Sequence, residues 1–159
     1  MEDVELPSKR EYPDLPVVGV GGVVVRDGSA LLIRRGHPPL KGEWSIPGGT
    51  LEVGETIAEG IQRELLEETG IVVRLLDFIE VFDRIFRDRE GRIQYHFVIL
   101  DYLCEAVSGE LRAGGDVTDA VWAQEGELAK FSLTPAATRV IRKAFALSRA
   151  AAPAVPPLT

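Results

Sequence analysis

Residues Gly49 to Ile71 read GTLEVGETIAEGIQRELLEETGI. The spacing predicts a helix from about Thr56 to Thr69. Thr56 and Glu59 fit a capping box, and Gly70 supplies the residue that stops the helix. Ala58, Ile61 and Leu65 recur at helical spacing and should face a core. Glu64, Glu67 and Glu68 fall within one turn and a half, and positions i, i+3 and i+4 converge on one face. At about 100° per residue, Glu68 lies close beside the Ile61–Leu65 stripe. Gly60, one turn before Glu64, leaves space over that face. Arg63 can pair with Glu67 at i+4. One guanidinium cannot satisfy three carboxylates together with Glu52 and Glu55 upstream, and a carboxylate near the core is costly when unpaired. A divalent cation can satisfy them, and hard oxygen ligands of this kind suit Mg²⁺ or Mn²⁺.

Working outward, PVVGVGGVVVRDGSALLIRR (16–35) reads as two strands around an Asp27-Gly28 hairpin turn. Gly19, Gly21 and Gly22 suggest close backbone approach or a bulge. They are not a dinucleotide fingerprint, because no helical pattern follows them. GHPPLKGEWSIPGG (36–49) is predicted as loop. Beyond the helix, two long strands flank RDREGR (87–92), and DAVWAQ (119–124) is a short strand. A last helix starts with Thr134 as N-cap and Pro135 at N1. This order predicts an α+β fold with a mixed sheet sandwiched between helices. Residues 1–16 read as a lead-in segment, 17–149 as one domain and 150–159 as a flexible tail.

The 159 residues suit one domain that can bury a core without disulfides or structural metals. The net charge of -7 argues against nucleic-acid polymers as partners. It leaves room for a small anionic substrate, since metal ions reverse the local field. Cys104, the single cysteine, is expected to be a buried strand residue. The sequence holds no apolar run of membrane-spanning length and no signal-peptide pattern, so a cytoplasmic location is expected.

Gly49 to Ile71 also reads G-x5-E-x7-R-E-U-x-E-E-x-G-U, U being aliphatic, with every fixed position filled. This resembles the box of the Nudix hydrolases, and the flanking strands extend the resemblance to about residues 17–145. It implies hydrolysis of a nucleoside diphosphate linked to another group. By resemblance, Glu64, Glu67, Glu68 and the Gly48 carbonyl are metal ligands, Glu64 being a ligand or the catalytic base that orients water. Arg63, Glu52 and Glu55 form a structural clamp, while Gly49 and Gly70 are backbone positions. A further acid is expected in AGGDVTDAVW (113–122), where Asp116 and then Asp119 are candidates. Gly115 stands where close relatives often have an acid, so the base stays open among Glu64, Asp116 and Asp119.

The wider pattern is similar to the ADP-ribose pyrophosphatase branch, which implies ADP-ribose as substrate and AMP and ribose 5-phosphate as products. Pyrophosphohydrolysis of nucleoside triphosphates, or nucleotide binding without catalysis, are the alternatives. Arg35, Phe86 and Tyr95 are candidate substrate-binding residues. Trp44 is expected to pack under the catalytic loop, with stacking on a base as the alternative, and His96 to be a hydrogen-bonded core residue rather than a base. Arg84, Arg87, Arg89 and Arg92 either grip a phosphate or solvate a turn. Relatives of this type are often dimers, so a homodimer is an expectation.

Overall fold

The computed structural model describes residues 10–151. Strand β1 (Val17–Arg26) turns at Asp27-Gly28 into β2 (Ser29–Arg35). Both turn residues have positive φ, 50° and 76°, which matches the twist of a two-residue hairpin. Two short strands, β3 (Trp44–Ser45) and β4 (Gly48–Thr50), follow in the stretch expected to be loop. That expectation fails because these few residues are too short for periodicity to register; they are strands through pairing with β2 and β1.

Helix α1 spans Ile57–Thr69. The Thr56 hydroxyl accepts from the Glu59 amide at 3.1 Å, and Gly70 closes the helix in the left-handed region. β5 (Ile71–Arg87) and β6 (Ile93–Gly109) form a long antiparallel hairpin. β7 (Val117–Gln124), a 3₁₀ segment (Glu125–Phe131) and α2 (Pro135–Ala151) complete the chain. α2 continues through residues 150 and 151, which were expected to be tail, because Ala-rich sequence keeps its helical preference there. The rest of the expected tail and residues 1–9 of the lead-in lie outside the described residues. Residues 11 and 12 of the lead-in contact the β5–β6 hairpin: Gln94 donates to the Glu11 carboxylate at 2.9 Å, the Tyr12 hydroxyl donates to Asp88 at 2.8 Å, and its amide to the Gln94 carbonyl at 2.7 Å.

The sheet order is β3-β2-β1-β6-β5, with β4 on β1 and β7 on β2. β1 and β6 are parallel and the other pairings antiparallel, so the sheet is mixed. Ile61 and Leu65 of α1 pack with Val20, Val24, Val73 and Cys104. On the opposite face, Val140, Ile141, Ala144 and Phe145 of α2 pack with Val23, Leu32 and Leu103. The result is the expected α/β/α sandwich. Cys104 is fully buried, as expected, and burial pushes its thiol up to about 12. Trp44 packs edge-on against Phe131, with ring centroids 5.2 Å apart. No helix among the described residues is long and apolar enough to cross a membrane.

Side chains alternate across a strand. Glu80, Phe82, Arg84 and Phe86 of β5 therefore share the α2 face with Phe97, Ile99, Asp101 and Leu103 of β6. α2 covers the Glu80–Leu103 end: Arg139 Nε lies 3.0–3.1 Å from both Glu80 oxygens, and Lys143 donates to Oε1. The other end is left open as a cleft.

Those cations hold the Glu80 carboxyl at about 2, and hydrogen bonds from Arg63 hold Glu55 there too, against an ordinary 4.5. A depressed folded-state value contributes stability above the unfolded value, and this is lost as pH falls through the folded one. Stability should therefore fall between about pH 4.5 and 2. In urea unfolding at pH 7 and pH 3, Glu80→Gln should show a smaller drop in midpoint than the wild type. An equal drop would contradict the Glu80 assignment.

Candidate active site

Arg63 organises the loop before α1. Its guanidinium donates to Glu55 at 2.6 and 2.9 Å, to Glu64 at 2.8 Å and to the Thr50 carbonyl at 3.1 Å. Glu67 lies 3.5 Å away and Glu52 3.7 Å away. The fork geometry of arginine suits this number of acceptors. Gly49 sits directly over Glu64: a Cβ there would lie 2.5 Å from the carboxylate carbon. The amide of Gly48 donates to Glu68 at 3.2 Å. β4 is thus the wall that both acids touch.

Glu68 is 8% exposed. Burial, and then the negative charge of Glu64, push its carboxyl well above the usual range. The Arg63 guanidinium pairs with Glu64 and not with Glu68. The donor set is hard oxygen with surplus negative charge, which fits a small divalent cation. Glu67 is exposed and turned toward Arg63. Among the described residues no group of three or more acidic, His or Cys side chains is placed to hold a metal ion. Mg²⁺ does not need one: one or two carboxylates, waters and substrate phosphates commonly complete its shell.

The cleft opens on the other side of β4. Gly48, Gly49, Arg35, Ile46, Phe82, Arg84, Phe86, Phe97, Ile99 and Asp101 line it. Arg35, at the end of β2, donates from Nε to the Pro39 carbonyl at 2.7 Å, and burial lowers its pKa. Of the four arginines near the second hairpin, Arg84 reaches the cleft, its guanidinium 5.2 Å from the Phe86 ring centroid. Arg87 and Arg92 brace the turn, through the Gly91 carbonyl and Asp88 respectively.

Among the expected substrate contacts, Phe86 lines the cleft. Tyr95 is buried, edge-on to Phe86 and stacked with Phe97, and does not line it. His96 is half-buried on β6, away from the cleft lining.

The loop carrying Asp116 closes on the end of α1. The Arg112 amide donates to the Thr69 carbonyl and the Gly114 amide to that of Glu68, both at 3.0 Å. The Asp116 carboxylate faces His37 Nδ1 at 3.8 Å. Burial lowers the His37 pKa, and Arg10 and Arg35 lower it further. The Asp119 carboxylate accepts from the Ala120 amide at 2.8 Å.

Sequence reading missed Asp101 and Arg10 as cleft residues. The signal for Asp101 was present: it is one acid within the apolar run FVILDYLC (97–104).

The NUDIX domain profile matches residues 15–144. An ADP-ribose pyrophosphatase of Methanocaldococcus jannaschii is 34% identical over 117 residues, covering 74% of this chain and 67% of that protein. The nucleoside triphosphatase NudI of Escherichia coli is 28% identical over 131 residues, covering 76% and 90%. Among solved structures, a MutT NUDIX hydrolase from Burkholderia pseudomallei superposes with a TM-score of 0.71 at 32% identity, covering 82% of this chain and 98% of that one.

Proposed function

The chain belongs to the Nudix hydrolases, and on that premise we propose that it cleaves the pyrophosphate of ADP-ribose to give AMP and ribose 5-phosphate. One observation carries this reading. The acid pair Glu64 and Glu68 touches one side of β4, while the other side opens on a cleft with three cations, Arg10, Arg35 and Arg84, and three phenylalanines. Such a cleft suits a ligand with a charged middle and a flat end. The similarity to an enzyme named ADP-ribose pyrophosphatase supports it.

Glu64, Glu67, Glu68 and the Gly48 carbonyl would hold Mg²⁺ or Mn²⁺. When bound, the ion supplies charge neutralisation at the pyrophosphate and activates water for attack. Arg63 keeps the Glu64 carboxylate fixed and oriented to receive a proton from the attacking water. Asp116, beside His37, is the second candidate base. Arg35 binds phosphate oxygens from the opposite wall. Phe86 and Arg84 lie along the path of the nucleoside.

Product chromatography tests this reading. ADP-ribose should be the fastest substrate and yield AMP and ribose 5-phosphate. Faster release of inorganic pyrophosphate from a nucleoside triphosphate would replace ADP-ribose with the activity that the similarity to the triphosphatase suggests.

A further inference from the structure

Glu68, Thr69 and Asp101 are the buried polar side chains among the described residues with assigned core positions. Glu68 belongs to the acid pair, and the Thr69 hydroxyl donates to the Leu65 carbonyl at 2.6 Å. Asp101 is different. It is 3% exposed, yet its carboxylate accepts no hydrogen bond and makes no ion pair with any described residue. Its oxygens are not sealed inside the core but open on the cleft, so the carboxyl is free to take a partner that arrives there.

The carboxyl faces the cleft. It stands opposite Gly21 in the β1–β6 register, and a Cβ on Gly21 would lie 2.3 Å from Asp101 Oδ1. Only glycine at that position leaves the space the carboxyl occupies. Ile46, Phe82 and Ile99 are apolar walls of the same cleft, while Glu80 stands opposite Asp101 across the β5–β6 pair and Arg84 acts on its charge. Burial pushes the carboxyl up to about 7, with the charge of Glu80 adding to the rise and Arg84 opposing it. Near neutral pH it therefore offers a hydroxyl donor as well as a carbonyl acceptor.

We propose that Asp101 selects the nucleobase, hydrogen-bonding the amino-bearing edge of an adenine ring that enters between these apolar walls. This rests on reading the cleft as a nucleotide site. A phosphate is unsuited to an acidic, apolar recess. A ribose would leave several hydroxyls unpaired there. Adenine presents an amino donor beside a ring-nitrogen acceptor on an otherwise flat apolar body, which matches both the carboxyl and its walls.

The test is calorimetric binding of AMP, purine riboside 5′-phosphate (which lacks the amino group) and ribose 5-phosphate, without turnover. The wild type should bind AMP about tenfold or more tighter than purine riboside 5′-phosphate, the worth of one good hydrogen bond in a buried site. Asp101→Leu, nearly the same shape, should bring the two nucleotides level. Asp101→Asn keeps a donor and an acceptor and should preserve the preference. A wild-type preference below about twofold, within the smallest net hydrogen-bond contribution, would overturn the proposal even if no variant folded. So would an equal loss of ribose 5-phosphate binding in Asp101→Leu, which would place the contact on the sugar. Because AMP binding is read without hydrolysis, absence of ADP-ribose turnover would defeat the proposed function and leave this test intact.

Discussion

Glu68→Gln is expected to lower kcat for ADP-ribose by about 10²–10³-fold, the usual cost of removing one preorganised electrostatic group from a reacting centre. The substitution preserves side-chain shape. The Gly48 amide, which now donates to Glu68 at 3.2 Å, still finds a carbonyl acceptor in glutamine. It also puts a neutral amide in place of a carboxyl that burial and the charge of Glu64 already hold largely protonated near neutral pH. Thermal unfolding should therefore move little, because neither shape nor net charge changes in the unoccupied protein. Activity and stability should part company. A variant that lost both together would identify Glu68 as a structural residue, and one that kept kcat would remove it from the reacting centre.

Gly48→Ala is expected to be strongly destabilising. An added methyl would lie 2.1 Å from the Val20 carbonyl oxygen and 2.7 Å from the Gly21 Cα. Those atoms are backbone, fixed by pairing between β1 and β4, so no side chain can rotate away. Overpacking of this kind costs about 1–3 kcal/mol, and the rigid neighbours place Gly48 at the upper end. Activity should fall as well, since β4 is the wall between the acids and the cleft. Gly126→Ala is the control: nothing lies within 4 Å of its added Cβ, and its unfolding midpoint should stay near the wild type. Equal midpoints for the two variants in thermal unfolding would show that β4 can yield.

The helix that carries the acids was legible because its signals are local. Thr56, Glu59 and Gly70 mark its ends, and Ile61 and Leu65 mark its inner face. The same holds for the Asp27-Gly28 hairpin and the long β5–β6 pair. β3 and β4 were not legible, since two- and three-residue strands exist only through partners distant in the chain. Convergence of Glu64 and Glu68 followed from helical geometry, but the coupling of Arg63 to Glu55 and Thr50 depends on how the preceding loop folds back. Arg35, Arg84 and Phe86 meet at one cleft because β2 and β5 are joined through β1 and β6. Spacing along the chain carries no record of that. Asp101 sits between the two cases. Its isolation in an apolar strand was visible, while the Gly21 space that receives it appears only with the parallel register of β1 and β6.

The most direct test of the account is the rate of AMP release from ADP-ribose as Mg²⁺ is titrated into protein stripped with EDTA. The account predicts no measurable release without the ion, and a saturable rise on its return that Glu68→Gln shifts and depresses. A rate that is unchanged in EDTA would contradict the assignment of the acid pair as a cation site, and with it the mechanism built on Glu64 and Glu68.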